Sequence, residues 1–263
     1  MDPWEIRETS LDLDVLAQTE SIFALSNGHI GLRGNLDEGE PHALPGTYLN
    51  GFYEVRPLPH AEAGYGYPES GETVVNVTNG KLIRLLVDDE PLDVRYGKLL
   101  KHERVLDFRA GVLRRTAEWQ SPANRAVRVS STRLVSLAQR AIAAISYEVE
   151  ALDSKVGVVV QSEMVTNEPL APPDNDPRSA AALSSPLRSE EYGHHEQRVL
   201  LAHATAGSEL RLAATMDHVI SGPPGTHTST EHDPDLGRLT VVAELEPGQR
   251  LSIIKLLAYG WSS

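Results

Sequence analysis

Ile145-Ser146-Tyr147-Glu148-Val149-Glu150 alternates an apolar with a polar side chain at every step, the two-residue period of a strand with one buried and one wetted face. It lies in Arg140 to Glu150, which with Arg125 to Leu137 forms the clearest long strand pair of the chain. Outward from this pair the same pattern repeats between turn signals. Arg104 to Phe108 faces Val112 to Trp119 across Arg109-Ala110-Gly111. Val75 and Val77 run into Thr78-Asn79-Gly80-Lys81, where Asn-Gly is a strong hairpin signal. Leu82 to Val87 returns, and Asp88-Asp89-Glu90-Pro91 turns the chain again. Val156, Val158 and Val160 are expected to continue the sheet. Further strands are expected at Gln197 to Thr205, Glu209 to Val219, Arg238 to Leu245 and Arg250 to Tyr259, with Glu246-Pro247-Gly248-Gln249 as the last tight turn.

Two segments interrupt the pattern. Thr166 to Glu190 contains Pro169, Pro172, Pro173, Pro177 and Pro186, none of which can donate to a ladder, and Ser221 to Asp235 is rich in Gly, Pro, His and Asp. Both are expected as long loops outside the core. No amphipathic helix of about 12 residues or more stands out, only a short turn at Ala180 to Leu183. The strands outnumber what one open twisted sheet carries, about ten. The expected fold class is therefore all-β, a large antiparallel β-sandwich of two stacked sheets, and 263 residues suit one such domain.

Charge narrows the partners. Lys and Arg number 24 against 37 Asp and Glu, a net charge of −13, which disfavours nucleic acid and anionic membranes. There is no cysteine, hence no disulfide framework and no thiol nucleophile. The start Met1-Asp2-Pro3-Trp4-Glu5 has no signal-peptide character, and no apolar run approaches the roughly 18 residues of a membrane span. A cytoplasmic protein is expected.

Few motifs carry chemistry on their own. Gly28, Gly31 and Gly34 are spaced three apart, but no G-x-G and no Gly-Lys-Ser/Thr makes them a phosphate loop. Among ten histidines, adjacent His194 and His195 would leave opposite faces of a strand. His227 and His232 with Asp233 and Asp235 lack the oxygen spacing of a calcium loop, so no metal is expected. Glu54, Glu118, Glu148 and Glu163 are carboxylates without a distinguishing context, and only folding could pair two of them across a sugar. Asp88, Asp89, Glu90, Glu190 and Glu191 read as turn and surface charges. The sequon Asn76-Val77-Thr78 lacks a secretion signal, and a Ser nucleophile elbow is missing.

Glu20-Ser21-Ile22-Phe23-Ala24-Leu25-Ser26-Asn27-Gly28-His29-Ile30-Gly31-Leu32-Arg33-Gly34 is answered by Gly46-Thr47-Tyr48-Leu49-Asn50-Gly51-Phe52-Tyr53-Glu54. Both blocks read as short strands broken by tight glycine turns. With Trp4 before them, they resemble nearly position for position the amino-terminal signature of glycoside hydrolase family 65, the trehalose, maltose and kojibiose phosphorylases and related hydrolases. Similarity continues in Leu106 to Arg115, Ser131 to Leu137, Ser162 to Asn167 and Lys255 to Tyr259, so it spans essentially the whole chain. His29 departs from the aromatic residue, such as Tyr, usual in the family.

The resemblance implies a galactose-mutarotase-like super β-sandwich, with residues 1–263 as a single N-terminal domain. In the family a catalytic (α/α)6 barrel follows, carrying the general acid and the phosphate site. This chain stops after Gly260-Trp261-Ser262-Ser263, so it is expected to be a piece of a longer enzyme, and no catalytic residue of the family carries over. By resemblance the parent would split α-linked disaccharide glucosides with inversion and without a cofactor. Phosphate would be co-substrate if it is a phosphorylase, and water if a hydrolase. The domain would support its own C-terminal barrel, with rim residues or a homodimer contact as further roles. The alternative is a free-standing carbohydrate-binding or mutarotase-like module, which a shared fold always allows. Candidates for the domain contact or substrate rim are Asn27, His29, Arg33, Asn50 and Tyr53. For Arg33 the competing reading is an internal pair with Glu20 or Glu54.

Overall fold

Alternating segments become strands nearly throughout the computed structural model, which describes residues 2–57, 66, 68–168 and 185–263. In chain order these are β1 (Glu5–Glu8), β2 (Leu25–Ser26), β3 (Ile30–Leu32), β4 (Thr47–Leu49), β5 (Tyr53–Pro57), β6 (Ser70–Val74), β7 (Ile83–Val87), β8 (Glu90–Pro91), β9 (Lys98–Asp107) and β10 (Val112–Gln120). There follow β11 (Ala126–Val135), β12 (Ile142–Ala151), β13 (Val156–Val165), β14 (Leu187–His195), β15 (Arg198–Thr205), β16 (Arg211–Ser221), β17 (His227–Asp233), β18 (Leu236–Leu245) and β19 (Arg250–Ser262). Among the described residues one helix, α1 (Leu16–Ile22), follows a 3-10 turn at Leu13–Val15.

Nine strands form one sheet in the order β1-β9-β10-β11-β12-β19-β16-β15-β14, and five form a second, β17-β18-β13-β7-β8. A three-stranded sheet β2-β3-β4 and the pair β5-β6 complete the described strands. The pairings are antiparallel, as in β11–β12, where Ser131 faces Tyr147. Ala143, Ile145, Tyr147, Val149 and Ala151 are wholly buried on one face of β12, as the alternation requires. They share one apolar cluster with Val158, Val160, Leu239 and Val241 of the smaller sheet. Burial of each such large side chain contributes about 1.5–3 kcal/mol, and the expected two-sheet sandwich is the architecture observed.

Several local expectations need correction. Asn79-Gly80 makes no hairpin, because neither residue takes the positive φ of a type I′ turn. Instead the Asn79 backbone exchanges two hydrogen bonds with Val165, at 2.7 and 3.0 Å. The two-residue turn that does form is Asp88-Asp89, with φ of 48° and 67°, between β7 and β8. Val156, Val158 and Val160 belong to the second sheet and do not continue the first. Glu20 to Ile22 is helical and not part of a strand; a helix this short leaves too little periodicity to read.

The expected loop Thr166 to Glu190 ends earlier than foreseen, since β14 starts at Leu187. Its base is held by Asn167, which donates to Leu187 O at 2.7 Å and accepts from Leu187 N at 3.2 Å. Ala180 to Leu183 lies outside the described residues. Ser221 to Asp235 lies outside the core, but most of it is strand: β17 pairs with β18 from His227↔Val242 to Asp233↔Leu236. A polar edge strand has no buried face to impose alternation, which hid it in the sequence.

Candidate domain-contact face

The two glycine-rich blocks fold as α1 followed by β2-β3-β4, laid against β11 of the large sheet. Their apolar residues Phe23, Ile30, Leu32, Leu49 and Phe52 enter the core at 2 % exposure or less. Between them Ser26, Gly28, Tyr48 and Asn50 are exposed, whereas Thr47 is buried. Gly46 is required by close approach, since a Cβ there would sit 2.3 Å from Arg33 Cβ. Gly51 combines a φ of +81° with Trp261 packed against it.

The five candidate residues do not all reach the surface. Asn27 is satisfied internally: Nδ2 donates to Ser136 O and Arg140 O at 2.7 and 2.9 Å, while Oδ1 accepts from His29 N and Ile30 N. It pins the β2–β3 turn to the β11–β12 connection. Arg33 donates to Glu20 Oε2 at 3.0 Å and to Ala17 O, so the internal pair with Glu20 is the one formed. Tyr53 is half-buried against the core, and its carbonyl accepts from Ser208.

His29 and Asn50 are the outward pair, joined through Asn50 N to His29 O at 2.9 Å. Arg140 Nη2 lies 3.3 Å from His29 Nδ1. A guanidinium only donates, so Nδ1 accepts and the ring proton sits on Nε2. Desolvation, then the Arg140 charge, lowers the His29 pKa. Exposed Tyr48 and Trp261 lie near this pair. Trp261 Nε1 donates to Asn50 O at 3.1 Å and its ring meets Phe52 edge-on at 6.4 Å. Sequence reading passed over both aromatics; Tyr48 stood within the quoted motif, and Trp261 is far away in the chain.

Behind this face the segment after Gly34 is clamped to the large sheet by three buried arginines. Arg104 donates to Gly34 O, and Arg133 to Arg33 O, Asn35 O and Asp37 Oδ1. Arg115 meets both oxygens of Glu38 at 2.8 Å, and Tyr147 donates to the same carboxylate at 2.9 Å. Burial alone would push the Asp37 carboxyl up, but Arg133 and Arg115 hold it below its ordinary range. Removing one partner from such a cluster leaves an uncompensated buried charge.

Lys81 is 1 % exposed and donates to Thr47 Oγ1, Asn79 Oδ1 and Gly46 O. Burial, with the charge of Arg133, brings its pKa down to about 7. The four carboxylates singled out as candidates occupy separate settings. Glu54 accepts from the backbone N–H groups of Val55, Ala206, Gly207 and Ser208. Glu163 lies between Arg84 and Arg238, Glu118 pairs with Arg128, and Glu148 with Arg250. Each is engaged by its own donors, the arrangement of structural acids. Among the described residues no helix is long and apolar enough to cross a membrane.

A family model described as "Glycosyl hydrolase family 65, N-terminal domain" matches residues 6–263. An uncharacterized glycosyl hydrolase of Mycobacterium tuberculosis (strain ATCC 25618 / H37Rv) is 61% identical over 263 residues, 100% of this chain and 34% of that protein. An alpha,alpha-trehalose phosphorylase of Thermoanaerobacter brockii is 31% identical over 98% of this chain and 34% of its own length. A solved protein from the human microbiome, assigned as a kojibiose phosphorylase, superposes with a TM-score of 0.86 at 22% identity, over 99% of this chain and 33% of that one. The last likeness is one of fold. The chain spans about a third of the length of the curated relatives it matches.

Proposed function

Because the chain belongs to glycosyl hydrolase family 65 as that family's N-terminal domain, we propose that it is the non-catalytic β-sandwich of a longer enzyme that splits α-linked disaccharide glucosides. The observation that carries this reading is full-length similarity to a domain that makes up a third of named phosphorylases and glycosyl hydrolases. The candidate acids, each engaged by its own donors, add support. The longer enzyme works in the cytoplasm without a cofactor, with inorganic phosphate as co-substrate where it is a phosphorylase. The domain's partner is the remaining catalytic part of the same protein, a helical barrel, and a homodimer contact is a further role.

Within this reading the surface around His29 and Asn50, flanked by Tyr48 and Trp261, is the face turned to the catalytic part or to the rim of its substrate site. Asn27, Arg33 and Tyr53 hold that face from behind. The test compares the 263-residue chain with the longer enzyme. The chain alone is expected to form no glucose 1-phosphate and no glucose from α-glucosides, because positioned groups supply most of such rate enhancement. Turnover by the purified chain, lost on mutating one of its own carboxylates, overturns the reading. In the longer enzyme, His29→Ala and Trp261→Ala are expected to change KM, kcat or interdomain stability. Unchanged values for both remove the contact-face assignment.

A further inference from the structure

β14 and β17 are the outermost strands of the two large sheets, and they lie against each other at one side of the sandwich. His194 of β14 and His232 of β17 meet there across 38 residues of sequence, with Nδ1 atoms 2.7 Å apart and ring centroids 4.9 Å apart at 61°. The ring of Tyr192 lies 5.6 Å from that of His232. A groove of about 360 Å³ runs alongside, lined by His194, Glu196, Gln197, Thr228, Ser229 and Thr230. Two neutral imidazoles hold this contact as a single hydrogen bond, one ring donating from Nδ1–H and the other accepting, so that only one Nδ1 lone pair is engaged. A cation uses both lone pairs at once.

We propose that His194 and His232 form a two-imidazole site for a d-block divalent cation of the zinc or copper(II) type, which fastens the edges of the two sheets together. Imidazole suits these ions. With metal–nitrogen bonds of about 2.0–2.1 Å, two ligands in tetrahedral geometry stand roughly 3.3 Å apart. The rings therefore need to part by only about 0.6 Å from their present contact. His194 is exposed and His232 half-buried, each on an edge strand, so this movement meets little packing. Among the described residues no group of three or more His, Cys, Asp or Glu is placed to hold a metal. The remaining positions are filled by water, and copper binds more tightly than zinc. His195 and His227 occupy the opposite alternation phase of their strands and take no part.

The test is calorimetric titration of the metal-free chain with zinc chloride and copper(II) chloride. The expected result is one saturable site per chain, lost in His194→Gln and in His232→Gln and kept in His195→Gln and His227→Gln. Glutamine preserves a hydrogen-bonding side chain while removing the imidazole. Zinc is also expected to raise the thermal midpoint of the unaltered chain and not of the first two variants, because a ligand that binds only the folded form stabilises it. A readout free of variants is the imidazole NMR spectrum, in which zinc should shift the signals of two of the ten histidines. Absence of saturable binding, binding retained by both His194→Gln and His232→Gln, or uniform perturbation of all imidazoles overturns the site.

Discussion

Arg33 Nε donates to Glu20 Oε2 at 3.0 Å, joining the helical start of the glycine-rich block to its end through a carboxylate that solvent does not reach. Ala43 N also donates to that carboxylate, at 3.1 Å. Arg33→Ala would leave Glu20 buried without its cation, at a cost of about 3 kcal/mol. Arg33→Lys should recover only part, since a lysine cannot present the guanidinium fork that serves both Glu20 and Ala17 O. Urea unfolding of the chain measures both, and an unchanged midpoint for Arg33→Ala contradicts the assignment of Arg33 as scaffold.

Lys81 gives a pH signature. Its pKa is about 7 in the folded chain against 10.5 for an ordinary lysine. Between those values the unfolded chain binds one more proton than the folded chain, so this group makes stability rise with pH, by about 1.4 kcal/mol per unit. Below pH 7 the native lysine must carry its charge while buried, and the full penalty applies. Buried Lys255, also well below its ordinary value, acts in the same direction. Lys81→Met should remove about one proton from the slope between pH 7 and 10. Equal slopes in variant and unaltered chain, from urea titrations across that range, would falsify this account.

Glu54 ties β5 to the turn at residues 206–208 by accepting from four backbone N–H groups. Burial opposes its ionisation, but the N–H groups of Gly207, Ser208, Val55 and Ala206 prevail and lower the pKa below 4.5. Its contribution is therefore present above about pH 4.5 and is lost as pH falls through the lowered value. Glu54→Gln puts an NH2 group where N–H donors already point, and should destabilise by about 1–3 kcal/mol at neutral pH. The difference from the unaltered chain should shrink in acid. A deficit that does not shrink between pH 7 and 3 counts against the carboxylate as its origin.

Gly46 and Gly31 form a matched pair of substitutions. A Cβ at Gly46 would meet Arg33 Cβ at 2.3 Å and Cδ at 2.8 Å, whereas at Gly31 the nearest atom is Tyr48 Cβ at 3.9 Å. Gly46→Ala should cost about 1–3 kcal/mol by forcing backbone or side-chain shifts, and Gly31→Ala should be neutral or slightly stabilising. Thermal unfolding decides it; equal midpoints for the two variants remove close approach as the reason for Gly46.

The long strand pairs were legible because each has a buried and a wetted face. Ile145, Tyr147 and Val149 alternate in sequence for the same reason that they are wholly buried in the sandwich. The family was legible from local motifs whose spacing needs no folding to be read. Asn79-Gly80 misled because a turn preference of this size yields to tertiary demand: Lys81 needs the Asn79 oxygen, and the Asn79 backbone completes a bridge to Val165. At the candidate face, five residues could be nominated from polarity alone. The sequence could not separate those whose hydrogen bonds are spent inside, Asn27 and Arg33, from those left outside, His29 and Asn50.

By itself, then, the amino-acid sequence determined the strand-rich class, the breaks between most strands and the family membership, since all three rest on period, turn chemistry and motif spacing within short stretches. Tertiary structure alone decided which strand joins which sheet. It sent Val156 to Val160 into the smaller sheet, brought Asp37 and Glu38 onto Arg133 and Arg115, and set His194 against His232. Those meetings join residues tens of positions apart. They follow from closing two sheets over one core, where every buried charge must find its partner across the fold.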